Sequence, residues 1–241
     1  MSITTGNPPT REAGVMDSTN SFWHSRRTLA AGLVLVAVAI GATWAAVDRS
    51  QDSHPGAAGY NSACGLHGGS TATPTTGPDV QWQNIDGNWL PVSTTQGPGR
   101  RNATGPWTCY AHTPTGAVLA AWGIPAGWTP TDFATAVKQQ TVPGPGQDAL
   151  LKQGLGSTPA NQRPTPTGFR VNAYDGQSAT VTFYMQQRGT NVSCASSVQW
   201  IGADAGDWAL RPSTDGSDLT GCQLSPPDPR ASDFVAWGPN S

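Results

Sequence analysis

Charge is scarce in this chain. Asp, Glu, Lys and Arg make up 12% of its 241 residues. Past residue 47 there are thirteen Asp, ten Lys or Arg, and no Glu. No basic run occurs in that region, and a mildly acidic surface argues against direct nucleic-acid binding. Cysteine is absent before Cys64, and the spacing of the four cysteines fits no zinc pattern. His24, His54, His67 and His112 place no two imidazoles on one helical face to hold a metal. The spacing of Asp204, Asp207, Asp215 and Asp218 matches no EF-hand loop. No Gly-x-Ser-x-Gly elbow and no phosphate-binding Gly loop ending in Lys-Ser/Thr is present. These absences leave no motif that fixes a chemistry, and neither a cofactor nor a metal is expected.

What the chain does have is one long apolar run. From Thr28 to Val47 there is no charge, with Arg26–Arg27 before it and Asp48–Arg49 after it. About twenty apolar residues is the length of helix that crosses ~30 Å of hydrocarbon. A helix also satisfies its own backbone groups there, and the run is too uninterrupted for a barrel strand. Arg11, Arg26 and Arg27 on the N-terminal flank outweigh Arg49, so the positive-inside rule places the N-terminus in the cytoplasm and the rest outside. A cleaved signal peptide is the competing reading. The run exceeds a usual h-region, the leader before it is long, and Thr43-Trp44-Ala45 is a poor cleavage site. The expected organisation is a disordered cytoplasmic tail (1–27), a transmembrane helix (28–47), a flexible Gly/Ser/Thr/Pro-rich stalk (48–79) and an extracytoplasmic domain (80–241). The lipid bilayer is then the first partner, and the location is the cell membrane with a single pass.

All four cysteines (Cys64, Cys109, Cys194, Cys222) fall on the outer side, where an even number reads as two disulfides. Three pairings are possible. Cys64–Cys109 with Cys194–Cys222 is favoured because each closes a local segment.

The outer domain reads as α+β. Asp86-Gly87 between Val80–Ile85 and Trp89–Val92 signals a hairpin. Thr113 as N-cap with Pro114 as first residue opens a helix whose Ala117, Ala120, Ala121 and Trp122 suit close packing, limited by Gly123 and Pro125. A second helix is expected from Thr129-Pro130-Thr131-Asp132 to about Gln140, burying Phe133, Ala136 and Val137. A third is expected over about Gln147–Gln153, ending at Gly154. Period-two alternation then predicts four strands, 168–174, 177–187, 192–200 and 206–211, forming an antiparallel sheet with one face toward the helices. Asp233–Trp237 is an edge strand or a docked tail. Helices first and a meander afterwards define the class.

That order, with Thr113-Pro114-Thr115-Gly116-Ala117 and on to Ala121, resembles the nuclear transport factor 2-like superfamily, whose helices open a cone closed by a bent antiparallel sheet. More narrowly, Cys64-Gly65-Leu66, Cys109 to Ala117, Gly206-Asp207-Trp208 and Phe234-Val235-Ala236-Trp237 resemble an uncharacterised extracytoplasmic family of actinobacterial integrative and conjugative elements. The layout of tail, single helix and outer cone is similar to bitopic assembly components of type IV secretion channels. The resemblance implies a structural, non-enzymatic role, with a second copy or other membrane secretion components as partners.

Residues that could carry chemistry each have a plainer reading. His112 beside Tyr110, with Asp132 or Asp175, could form an acid–base pair, or bond the backbone at a helix entrance. Tyr174 or Tyr184 with Asp175 could line a cone mouth, although Asp175-Gly176 is also a turn. Trp107 and Trp128 sit in Gly/Pro-rich loops and are the candidates for exposed protein contacts; the remaining outer Trp residues are expected in the core. The alternatives to the assembly role are a small-molecule-binding or sensing domain, and an enzyme using the cone mouth.

Overall fold

A computed structural model describes residues 65–66, 69–100, 106–156, 158–202, 206–225 and 233–241, all within one compact unit spanning His54–Ser241. The expected tail, the anchor from Thr28 to Val47, Cys64 and most of the stalk lie outside the described residues. Among the described residues no helix is long and apolar enough to cross a membrane.

The expected hairpin forms as β1 (Gln81–Ile85) and β2 (Asn88–Val92), a two-stranded antiparallel sheet. Its turn residues have positive φ, 50° at Asp86 and 86° at Gly87, the geometry that suits the strands' twist.

Helix α1 (Pro114–Ala126) is the centre of the fold. Ten of its 13 residues are buried, on every face, which makes it an internal helix rather than an amphipathic surface one. Thr113 caps it as expected, accepting from Gly116 N at 2.9 Å. Gly116 lets the preceding chain come close, since a Cβ there would lie 2.0 Å from the Ala111 carbonyl oxygen. The expected stop at Gly123 and Pro125 is corrected: the helix runs through both. Pro125 has no N–H to give the Ala121 carbonyl. The Ser196 hydroxyl, 75 residues further on, donates to that oxygen instead, at 3.3 Å. The helix packs against β2 on one side and the main sheet on the other.

Helix α2 (Phe133–Gln140) buries Phe133, Ala136 and Val137 as expected, but starts three residues later than Pro130. Its lead-in is a turn in which the Asp132 carboxylate accepts from Thr129 N (3.1 Å) and Thr129 Oγ1 (2.6 Å). Helix α3 (Pro145–Gln153) ends at Gly154, whose φ is 76°.

The main sheet holds β3 (Thr165–Tyr174), β4 (Ser178–Gln187), β5 (Thr190–Ile201), β6 (Asp207–Leu210), β7 (Thr220–Leu224) and β8 (Val235–Ala236). The order is β6-β5-β4-β3-β8, all antiparallel, with β7 also paired to β5. The four expected strands are β3 to β6, and the C-terminal segment is the edge strand β8. Alternate residues of β4 and β5, among them Val181, Phe183, Met185, Val198 and Trp200, enter the core. In β3 the alternation holds at Phe169 and fails at exposed Ala173, beyond a bulge between Val171 and Ala173. Bulges of this kind shift the facing of later side chains and bend the strand. The result is a mixed α+β fold of three helices on a bent antiparallel sheet.

Strand β7 has no counterpart in the sequence reading. All five of its residues are exposed, so it carries no alternation. It shares one edge of β5 with β6, taking Val192–Ala195 while β6 takes Val198–Ile201. The disulfide Cys194–Cys222, with Cα atoms 4.2 Å apart, ties β7 to β5. Cys109 is also disulfide-bonded.

Candidate functional site

Two regions bring chemistry-bearing side chains together. The first joins segments that the sequence reading singled out separately. The Asp207 carboxylate accepts from the backbone N–H of Cys109 (2.6 Å), Tyr110 (2.8 Å) and Trp208 (2.9 Å), and Trp208 Nε1 donates to the Ala111 carbonyl at 2.9 Å. Gly206-Asp207-Trp208 is therefore a clamp on the chain entering α1. Burial pushes the Asp207 carboxyl above the usual carboxylate range, and the three N–H donors oppose that shift. Burial, with the Asp207 charge as a smaller cause, raises the Tyr110 phenol far above its ordinary value.

His112 lies against this clamp. Its ring stacks on Trp200 at 4.0 Å and approaches Trp208 at 5.7 Å, and its Nε2 bonds the Gly176 carbonyl. Desolvation holds its pKa below 6.5. The carboxylates considered as its partners are engaged elsewhere. Asp175 accepts from Gln177 N (2.8 Å), Ser178 N (2.6 Å) and Ser178 Oγ (2.8 Å), while Asp132 holds Thr129. These hydrogen bonds keep the exposed Asp175 carboxyl below its ordinary pKa. Tyr174 packs on Trp208, and Tyr184 is buried against Phe234. The polar groups around α1's entrance thus hold backbone in place.

The two tryptophans considered as contact residues are joined from within. Gln140, 4% exposed, accepts from Trp128 Nε1 at 3.1 Å and donates to the Trp107 carbonyl at 2.7 Å. The expectation of an exposed contact at Trp128 is corrected: it is 5% exposed and packs edge-on against Phe133. The Gly/Pro-rich loop that suggested exposure folds back over α2, and the indole N–H finds its partner on that helix. Trp107 is half-buried.

The second region is a cavity of about 340 Å³ beside the C-terminal end of α1. Trp89, Trp122 and Trp128 wall it, with Pro125, Arg163 and Asp218. The Trp122 indole donates to the Trp89 carbonyl at 2.7 Å, so both buried indoles spend their N–H groups on the protein. A second cavity of about 250 Å³ shares Trp128, Pro125 and Asp218 with it. Burial raises the Asp218 carboxyl above the usual range, opposed by its own backbone N–H and that of Leu219. Arg163 Nε donates to the Thr158 carbonyl at 3.3 Å. The described lining residues include Asp218, Arg163, Thr158 and Gln187 among apolar and aromatic side chains. Sequence reasoning missed it because Trp89, Arg163 and Asp218 come from three distant segments and form no motif. Among the described residues, no group of three His, Cys, Asp or Glu side chains could hold a metal.

An internal helix against a bent antiparallel sheet, locked at its entrance and hollow at its exit, defines a mixed α+β domain. The chain belongs to the family described as Domain of unknown function (DUF8175), whose model matches residues 45–227. That match includes all three helices and the strands from β1 to β7, and stops before β8. No curated protein and no solved structure matches the chain.

Proposed function

We propose that this chain is a single-pass membrane protein whose α+β domain lies outside the cytoplasm as a non-enzymatic assembly component of a conjugation or secretion apparatus, built on a nuclear transport factor 2-like cone. The observation that carries the non-enzymatic part is the engagement of the strongest chemical candidates: Asp207, Asp175 and Asp132 each hold backbone or turn groups, and His112 is stacked on Trp200 and bonded to the Gly176 carbonyl. The Cys194–Cys222 bond suits an oxidising compartment, and the apolar run with its Arg-rich inner flank supports the anchor. The partners are the bilayer and a second copy or other membrane secretion components, not nucleic acid. Cross-linking of the full-length chain in its own membrane tests this. The expected result is a discrete oligomer or a defined hetero-complex, and a monomer at all cross-linker doses contradicts it.

A second reading is favoured by one feature, the Trp-walled cavity: the domain binds or senses a small molecule. Its volume lies at the lower end of the range of ligand pockets, about 300–1,000 Å³. A ligand at a hundred times its dissociation constant stabilises a fold by roughly 2.7 kcal/mol, which a thermal-shift screen detects. No shift across apolar and aromatic small molecules contradicts this reading.

A further inference from the structure

Resting on the ligand-binding reading, we propose that the cavity beside α1 takes a small zwitterion with an aromatic body, such as a free aromatic amino acid, its ammonium facing Asp218, its carboxylate facing Arg163 and its ring against Trp89, Trp122 and Trp128.

Asp218 and Arg163 line the same cavity from separate segments, one before β7 and one before β3. Among the described residues neither makes an ion pair, and Arg163 bonds the Thr158 carbonyl. Opposite charges lining one cavity that do not neutralise each other leave two complementary demands on whatever fills the space. A partly desolvated carboxylate gains most from a cation that enters with it. A guanidinium matches a carboxylate in a planar two-pronged geometry. A ligand of one sign alone would meet repulsion from the other group, while a zwitterion satisfies both.

The walls supply the rest. Trp122 and Trp128 are each 5% exposed, and their N–H groups are satisfied within the protein, so what they offer a ligand is ring surface. Ring surface attracts both an aromatic body and an ammonium group. A cavity of about 340 Å³ admits one molecule the size of an aromatic amino acid and excludes a folded peptide.

Calorimetric titration of the full-length protein with four indoles isolates each element: indole with neither charge, tryptamine with the cation, indole-3-propionate with the anion, and tryptophan with both. The expected order places tryptophan about tenfold or more above indole, since a charge-assisted hydrogen bond contributes on that scale. Asp218→Asn and Arg163→Gln are each expected to reduce the advantage of tryptophan over indole, the first by removing the partner of its ammonium and the second that of its carboxylate. Ala126→Trp, on the cavity wall, is expected to abolish binding of all four. Indole binding as tightly as tryptophan overturns the zwitterion proposal and leaves the cavity reading standing. Binding of none of the four overturns the proposal and also counts against the cavity as a ligand site, and binding that survives Ala126→Trp overturns the assignment of the site. The four-compound order is read on the unaltered protein, so it stands even where a variant fails to fold.

Discussion

Asp207 and Thr113 do the same job from opposite ends of one short segment. Between them they fix Cys109 to Gly116 through backbone N–H groups, and so set where α1 begins. Thr113 also donates to Gln96 Oε1 at 2.6 Å, tying the cap to the loop behind the hairpin. Thr113→Ala is expected to lower the unfolding free energy by about 1–2 kcal/mol, as for a lost N-cap, with an unchanged denaturant slope. Urea titration of both proteins measures it, and a change under about 0.3 kcal/mol would remove the cap from this account. His112 makes a prediction in pH. Its folded pKa is lowered below 6.5 by desolvation, so the unfolded chain binds its proton first. Its contribution is therefore complete above pH 6.5 and is lost as pH falls from there through the folded value. An NMR titration should place the His112 midpoint below 6.5, and His112→Gln should flatten the stability of the domain across that interval. A midpoint above 6.5 contradicts the half-buried, stacked geometry.

Among the elements, those governed by local rules were legible and those governed by distant partners were not. Thr113-Pro114 announces a helix start because capping involves neighbours three residues apart, and Asp86-Gly87 announces its turn because two positive φ angles favour those residues. The strands β3 to β6 are readable because one face of each is buried, which writes alternation into the sequence. The far end of α1 was not readable. Pro125 normally stops a helix, and the hydroxyl that rescues the Ala121 carbonyl comes from β5. Strand β7 was silent for a different reason: with every residue exposed, its sequence records no face. Only Cys222 hinted at it. The candidate cavity was hidden likewise, since Arg163 sits in a Pro-rich connector and Asp218 among turn residues. Strand β7 should depend on its covalent tie. The bond spans a sequence separation of 28, so replacing both cysteines with Ser is expected to cost about 3–4 kcal/mol in the chain-entropy model. Hydrogen exchange should then show lost protection at Ser193 and Gln223 while the β4–β5 ladder keeps its own. Uniform loss across both ladders would mean that β7 is integral to the sheet.

For the whole molecule, the domain and the apolar run carry one argument about compartment. A disulfide between neighbouring strands, few charges and no Glu beyond residue 47 suit a domain outside the cytoplasm, and the Arg-flanked run from Thr28 to Val47 suits an anchor that holds it there. The proposed assembly role presupposes that arrangement. A pair of topology reporters fused after Ser241 tests it most directly, one enzyme active only outside the cytoplasm and one active only within it. The account predicts activity from the external reporter alone, with the fusion retained in the membrane fraction. Activity from the cytoplasmic reporter, or release of the domain as a soluble product, would contradict it.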